Sequence, residues 1–259
     1  MNYVNCNKED LEKEYAALVA EYEEVKGKGL KLNMARGKPG EDQLNLSRPL
    51  LDVINSSTDC ITAHGADCRN YGELAGIDEC KNFFAEIFDV DPSDVMVGGN
   101  SSLNMMFDTI AGFMTKPVVE GCKPWYEVKN RKFLCPAPGY DRHFAITEYF
   151  DFDLIPVPMT ENGPDMDVVE KLVENDDSIK GIWCVPKYSN PLGVTFSDET
   201  VKRFAALKPA AKDFRIMWDN AYCVHDVTDT PDELLSLMAE CRKTGNVDLP
   251  IMFTSTSKI

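Results

Sequence analysis

The chain has 259 residues, of which 44% are hydrophobic and 27% charged, a composition typical of a folded globular protein with one sizeable core. Its 43 acidic and 27 basic residues give a formal net charge of −16, which disfavours binding to nucleic acid or to an anionic membrane. Any anionic ligand must therefore be held by a local cluster of hydrogen-bond donors.

The chain begins with a predicted helix from about Lys8 to Lys26, with acidic residues on one face and apolar residues on the other. The glycines and prolines of the stretch 37–49 are typical of a boundary between an N-terminal arm and the main domain. The apolar face of the predicted helix consists of Leu11, Tyr15, Leu18, Val19 and Tyr22.

The segment CITAHGADC raises the question of a metal site. Cys60, His64 and Cys68 recur every four residues and would share one face of a helix, which is a conceivable zinc-binding arrangement. Three such side chains without a clear fourth ligand are more often ordinary packing residues. We therefore predict no metal site.

Short apolar runs then alternate with helical patterns along the rest of the chain. This alternation predicts an α/β fold, in which helices cover both faces of a largely parallel sheet. The runs lie at 95–99, 132–135, 153–157, 179–185, 214–219 and 251–255, and the helical patterns lie near 101–114, 140–149, 166–175, 197–207 and 231–243.

The sequence has no apolar run of the ~20 residues that a bilayer-spanning helix requires, and its first thirty residues do not resemble a signal peptide. We therefore expect a cytoplasmic protein without a membrane partner. None of the nine cysteines forms a CxxC motif, and several lie in apolar runs, so we expect free thiols.

Polar loops follow the predicted strands, at the edge of the sheet where ligands bind in open α/β folds. In the loop GGNSS, the residues Asn100, Ser101 and Ser102 join a strand to the start of a helix, where free N–H groups favour a phosphate. The alternative is that a serine simply caps the helix. The loop matches neither a P-loop nor a GxGxxG motif.

Four residues in the later loops have side chains that suit one cofactor. Asp219 ends an apolar run, Tyr222 follows it, and Asn190 lies in the turn SNPLG. Lys258 is either a solvated charge or an amine held for reaction with an aldehyde. Each is individually most often a structural loop residue, but together with a phosphate loop they are the groups that would hold pyridoxal phosphate.

The ordered motifs YGELAG, GGNSS, PGY, SNPLG, DNAY and TSTSK resemble those of the fold-type I pyridoxal phosphate-dependent aminotransferases. With LNMARGKP near the start, the chain is most similar to the aspartate aminotransferase subgroup called class Ic. The resemblance implies that 1–45 form an N-terminal helix and arm belonging to a small domain, and that 46–259 form the cofactor-binding large domain.

The resemblance also implies roles for the residues around the cofactor ring. Lys258 matches the lysine that forms the Schiff base, or internal aldimine, and then moves the substrate proton. Asp219 matches the partner of the pyridinium nitrogen. Asn190 and Tyr222 match the pair that hydrogen-bonds the ring hydroxyl, and Tyr140 matches the aromatic residue that stacks on the ring.

Further residues match the phosphate, dimer and substrate contacts of that family. Tyr71 matches a tyrosine that reaches the phosphate of a neighbouring subunit, which implies a homodimer. Gly37 matches a backbone position near the substrate carboxylate, to which Asn190 also lies close. The matching phosphate contacts are Asn100, Ser101, Ser102, Ser255 and Ser257.

Members of this family continue for well over a hundred residues beyond the lysine, so the resemblance implies a C-terminally truncated chain without its small domain. The arginines that bind phosphate and substrate carboxylate would lie in that segment. So would a strand that inserts antiparallel between the runs 95–98 and 251–255. We expect the 259-residue chain alone to be inactive.

The predicted function is transamination between an amino acid, with aspartate favoured, and a 2-oxo acid such as 2-oxoglutarate. One alternative is another fold-type I enzyme, a lyase, racemase or synthase, because the ring contacts are shared among these enzymes. Another is a non-catalytic truncated fragment. A regulator is disfavoured because about thirty acidic helical residues cannot supply a DNA-binding domain.

Overall fold

The computed structural model describes residues 3–32 and 39–257. The chain divides into two compact units, Met1–Thr58 and Asp59–Ile259. The sequence analysis places its domain boundary earlier, after residue 45. Among the described residues, no helix combines the length and apolar character needed to cross a membrane.

The first unit contains α1 (Lys8–Gly27), α2 (Glu41–Ser47) and a short 3-10 turn. The predicted N-terminal helix is confirmed, and it begins where the Asn7 side chain accepts the N–H of Asp10 at 2.9 Å. Its apolar face is present but lies uncovered by the described residues, since no residue of α1 is buried. The helix α2 was not predicted from the sequence.

The second unit is built on a six-stranded sheet with the order β3-β2-β1-β4-β5-β6. All neighbouring strands are parallel except β2 and β3, so the predicted mixed, largely parallel sheet is confirmed. The strands are β1 (Lys132–Ala137), β2 (Asp153–Thr160), β3 (Gly163–Pro164), β4 (Ile179–Cys184), β5 (Arg215–Asp219) and β6 (Pro250–Phe253). The helices are α3 (Asp78–Phe88), α4 (Ser102–Thr115), α5 (Asp141–Tyr149), α6 (Met166–Asn175), α7 (Asp198–Ala205) and α8 (Leu237–Thr244).

Helices cover both faces of this sheet. In β5, Ile216 and Trp218 pack in one core with residues of α6, α7 and α8, whereas Met217 packs in a second core with residues of α4 and α5. Because side chains alternate along a strand, Asp219 shares the α4 and α5 side with Met217. The strand register sets Asp219 beside Phe253 of β6, so the two strands end together.

Some predicted elements differ from the structure. The run 95–99 is not a strand; the only backbone hydrogen bond in the described structure from it to another segment is from the N–H of Val97 to the carbonyl of Ala75. Extended chain counts as a strand only when a neighbour supplies a ladder of such bonds. The helix expected near 231–243 begins only at Leu237, and α3 and β3 were not predicted.

The segment of Cys60, His64 and Cys68 is not a helix. Ile61 pairs with Asp67 in an isolated antiparallel bridge, so the shared helix face does not exist. The His64 imidazole instead lies 3.1 Å from the Asp78 carboxylate. Within the described ranges, no group of three His, Cys, Asp or Glu side chains is arranged to hold a metal ion. Cys135, Cys184 and Cys241 are buried free thiols.

Candidate active site

The carboxylate of Asp219 is buried at the end of β5, where only 6% of the residue is exposed. Its Oδ2 lies 2.9 Å from Nε2 of His143. Its Oδ1 is also buried and has no hydrogen-bond partner among the described residues. Since an unpaired buried carboxylate oxygen is costly, Asp219 is suited to receive one further donor or cation.

The imidazole of His143 holds this carboxylate in place. His143 is 1% exposed, and its ring stacks on Trp183 with 4.7 Å between centroids and an angle of 15° between the planes. The Tyr140 ring meets it edge-on at 5.0 Å. The sequence analysis missed His143. It could have been found from its position one helical turn after Tyr140 in PGYDRH, which sets the two side chains side by side.

The phenol of Tyr222 lies in the loop after β5, and the amide of Asn190 lies in the loop after β4. Burial raises the pKa of Tyr222, and the nearby Asp219 and Tyr140 raise it further. The phenol therefore stays protonated at neutral pH and acts as a hydrogen-bond donor. Asn190 is exposed in the loop that follows β4. Together with Tyr140 and His143, it lines a cavity of about 20 Å³.

The loop before α4 and the chain after β6 line one cavity of about 520 Å³. The structure thus brings Asn100 and Ser102 together with Ser255 and Ser257, as the sequence analysis expected for phosphate contacts. The hydroxyl of Ser101 instead caps α4, although its 3.4 Å contact to an N–H of the first turn is long. The capping role is therefore the one that the structure assigns to the Ser101 side chain.

The loop before α4 lies against the Met105 side chain of that helix at Gly98. A Cβ at Gly98 would lie 2.5 Å from Sδ of Met105, which is far inside van der Waals contact. The narrow loop therefore leads directly into the free N–H groups at the start of α4, and these favour an anion.

The loop after β5 is tied to the chain after β6. The N–H of Asn220 donates to the Phe253 carbonyl at 2.8 Å. The Thr254 hydroxyl donates to the Asn220 carbonyl at 3.1 Å and lies 3.1 Å from Sγ of Cys223. These contacts, which the sequence did not reveal, hold the loops of Tyr222 and Ser255 side by side.

One predicted site residue, Tyr71, lies apart from the others. Tyr71 is 98% exposed and lines a separate cavity formed by residues 66–77. Gly37 and Lys258 lie outside the described residues, so the structure leaves their predicted roles untested.

A sequence profile described as aspartate amino-transferase matches residues 6–259 of the chain. The chain belongs to the aspartate aminotransferase family. The aspartate aminotransferase of Corynebacterium glutamicum is 44% identical over 238 residues, which are 92% of this chain and 55% of that relative. A homologue from Mycolicibacterium smegmatis is also 44% identical, over 100% of this chain and 61% of its own length.

Solved structures of aminotransferases share this fold. The crystal structure of an aspartate transaminase from Corynebacterium glutamicum matches with a TM-score of 0.87 and 42% identity, over 98% of this chain and 60% of that one. A kynurenine aminotransferase from Pyrococcus horikoshii, at 17% identity and a TM-score of 0.64, shares the fold alone. The chain thus spans about three fifths of the length of each of these two solved structures.

Pyridoxal 5′-phosphate is the cofactor of the aspartate aminotransferase family. The residues present fit this group. The buried Oδ1 of Asp219 lacks only a cationic donor, which the protonated ring nitrogen of the cofactor is. The glycine loop before α4, together with Ser255, suits the phosphate.

Proposed function

We propose that this chain is the cofactor-binding part of an aspartate aminotransferase, which moves an amino group between aspartate and a 2-oxo acid such as 2-oxoglutarate. The observation that carries the proposal is the buried Asp219 carboxylate, which His143 holds through one oxygen while the other has no described partner. A purely structural aspartate would have both oxygens satisfied.

Pyridoxal phosphate, when bound, supplies an electron-withdrawing ring that stabilises negative charge on the substrate Cα. In this proposal Asp219 keeps the ring nitrogen protonated, and Asn190 and Tyr222 donate to the ring hydroxyl oxygen. Tyr140 stacks on the ring. Lys258 would hold the cofactor by its aldehyde carbon, the aldehyde oxygen leaving as water, and its amine would then carry a proton between the substrate Cα and the cofactor.

The phosphate is bound in this proposal by the N–H groups that begin α4 and by side chains around them. The supporting observation is that one cavity of about 520 Å³ is lined by both the loop and the chain after β6. Phosphate donors proposed from the sequence are Asn100, Ser101, Ser102, Ser255 and Ser257, of which Ser101 contributes through its backbone because its hydroxyl caps the helix.

Aspartate as the amino donor is proposed from the name of the Corynebacterium glutamicum relative. The backbone at Gly37 and the side chain of Asn190 are proposed to lie near the substrate carboxylate. Among the described residues, no arginine lines the cavity beside Asn190 or the cavity beside Ser255. We therefore propose that the 259-residue chain by itself binds the cofactor but does not sustain turnover.

We propose that the intact enzyme is a homodimer in which Tyr71 reaches the cofactor phosphate bound by the other subunit. The support is that the Tyr71 side chain is 98% exposed on its own subunit, an unusual position for a tyrosine without a partner surface.

The test of the proposed function is borohydride reduction of the chain incubated with pyridoxal phosphate, followed by peptide mapping. The expected result is a visible absorption band that reduction removes, with one pyridoxyl group fixed on Lys258. Lys258→Ala should lose this adduct, whereas Lys171→Ala, at an exposed lysine of α6, should keep it. Labelling spread over several lysines would contradict the proposal.

The phosphate part of the proposal has its own test. Ser255→Ala should weaken binding of pyridoxal phosphate by about tenfold, the effect of one hydrogen bond to a charged group, and should leave binding of pyridoxal unchanged. Equal weakening of both ligands would exclude Ser255 as a phosphate contact.

A further inference from the structure

We propose that Lys187 is a positioning residue for the cofactor: its ion pair with Asp226 holds the turn that carries Asn190 against the loop that carries Tyr222. The inference rests on the proposed function, because it concerns how two proposed cofactor contacts are kept in register. Lys187 itself is given no contact with the cofactor or the substrate.

Lys187 is unusually buried for a lysine. It follows β4 by three residues, and only 7% of its side chain is exposed. Its Nζ lies 3.2 Å from Oδ1 of Asp226, a residue whose side chain is 51% exposed. Because a buried ammonium is costly without a partner, this ion pair draws the loop after β5 onto the end of β4.

Tyr188 provides a second connection between the same two loops. Its ring meets that of Tyr222 in an edge-to-face contact, with 6.5 Å between the ring centroids. Its hydroxyl accepts a hydrogen bond from the N–H of Asp232 at 3.2 Å. The Nζ of Lys187 lies 5.2 Å from the centroid of the Tyr188 ring, within range of a cation–π contact.

The backbone of Tyr188 supports this interpretation. Its φ angle is +49°, in the left-handed region that a large non-glycine side chain rarely adopts. Such a conformation persists only where the surroundings hold it. The surroundings include a hydrogen bond from the N–H of Tyr188 to the Thr195 hydroxyl at 3.3 Å, together with the contacts of the Tyr188 ring.

The turn that follows is closed by its own hydrogen bonds. The N–H of Ser189 donates to the Val194 carbonyl at 2.9 Å, and the N–H of Val194 donates to the Ser189 hydroxyl at 3.1 Å. The turn that contains Asn190 therefore moves as a unit with Lys187 and Tyr188. Its position relative to Tyr222 depends on the contacts between the two loops.

Asn190 and Tyr222 are proposed to donate to the same ring oxygen, which requires both donors to lie within about 3.2 Å of it. A displacement of about 1 Å between the two loops would break one of these bonds. The ion pair of Lys187 and Asp226 therefore affects cofactor binding through geometry, although neither residue belongs to the ring contacts.

A matched ion pair lies at the opposite end of the same strand. Lys180 Nζ is 2.7 Å from Oδ1 of Asp213, and the two side chains are 8% and 5% exposed. This pair is at least as buried as that of Lys187, but it lies at the end of β4 away from the candidate site. The double variant K180M/D213N therefore controls for loss of stability alone.

The experiment compares Lys187→Met, Asp226→Asn and Asp226→Glu with the unaltered chain, using pyridoxal phosphate as the probe. The affinity is measured by absorbance titration, the pH midpoint of the visible band by pH titration, and folding by thermal unfolding. Asp226 is half exposed, so its variants should fold even if Lys187→Met does not.

The expected result is that K187M and D226N weaken cofactor binding by about three- to tenfold, the effect of weakening one hydrogen bond. The pH midpoint should rise by about half a unit, because the donors stabilise negative charge on the ring oxygen in the unprotonated form. D226E should restore both values, and K180M/D213N should lower the unfolding temperature without moving the midpoint.

Three results would contradict the inference, each in a different way. The unaltered chain could show the visible band while K187M and D226N have the same cofactor affinity and pH midpoint as that chain. This result would overturn the positioning role alone. The absence of any band in the unaltered chain would overturn the proposed function and the inference with it. A midpoint shift in K180M/D213N as large as that in D226N would reduce Lys187 to a residue of general stability.

Discussion

His143 and Asp219 are 76 residues apart in the chain, yet Nε2 of His143 lies 2.9 Å from Oδ2 of Asp219. The contact joins the first turn of α5 to the last residue of β5. It fixes the orientation of the carboxylate and leaves Oδ1 buried without a described partner. The aspartate is thus held by one oxygen, and the other is the atom that the proposed function assigns to the cofactor.

Asp219→Asn should separate the cofactor role of this residue from a structural one. Loss of the carboxylate charge should weaken binding of pyridoxal phosphate by about tenfold or more, because the ring nitrogen loses its ion pair. Urea unfolding of the cofactor-free chain should show little loss of stability, since the variant removes an unsatisfied buried charge. A large loss of stability with unchanged cofactor affinity would identify a structural aspartate.

His143→Phe should keep an aromatic ring against Trp183 while removing the hydrogen bond to Asp219. The expected result is cofactor binding weaker by about three- to tenfold, because the carboxylate loses its fixed orientation. Absorbance titration with pyridoxal phosphate measures the effect. Phe144→Leu, one residue along α5, is the control and should leave the affinity close to that of the unaltered chain.

Tyr222→Phe should remove a phenol whose pKa is raised in the folded chain. Burial and the charge of Asp219 raise its pKa above the ordinary value of about 10. A folded-state pKa above that of the unfolded chain means that Tyr222 contributes stability below pH 10, which is lost as the pH rises further. A difference titration of tyrosine absorbance between the two chains should have a midpoint above pH 10, and a midpoint below it would contradict the prediction.

Gly181→Ala should destabilise the sheet, because Gly181 packs closely against the ring of Phe133 and the backbone of Arg215. A Cβ at Gly181 would lie 2.5 Å from Cζ of Phe133 and 2.7 Å from the carbonyl oxygen of Arg215. The free energy of unfolding should fall by about 1–3 kcal/mol, the usual effect of overpacking. Gly112→Ala in α4, where a Cβ meets no atom within 4 Å, should instead leave stability unchanged or raise it by about 1 kcal/mol.

Asp176→Asn should lower stability at neutral pH but not in acid. Hydrogen bonds from the Lys132 ammonium and Ser178 lower the pKa of Asp176 to about 2. A lowered folded-state pKa means that the stabilisation is present above pH 4 and is lost as the pH falls towards 2. Since the side chain is 31% exposed, the loss at pH 7 should be about 1 kcal/mol or less.

Urea unfolding at pH 7 and at pH 2 measures the effect of Asp176→Asn. Asp177→Asn removes the same charge from an exposed neighbour and should change stability less at pH 7. An equal effect of the two substitutions would mean that the Lys132 contact contributes nothing.

Much of the second unit was predictable because its signals are local. The apolar runs and helical patterns predict the alternation of strands and helices, and the polar residues after each run predict the edge that carries the site. The run 95–99 shows where this reasoning fails, since an extended segment becomes a strand only through a neighbour. Around residues 60–68, turns and the isolated bridge between Ile61 and Asp67 likewise override a four-residue spacing that is typical of a helix.

The sequence by itself determined which chemical groups this protein has and at which strand ends they lie. It did not determine which groups touch. The pairs His143–Asp219 and Lys187–Asp226 join residues 76 and 39 positions apart. Such contacts depend on strand order and register, which no local pattern specifies. Only the tertiary structure therefore decided that one Asp219 oxygen is held by His143 while the other is buried without a described partner.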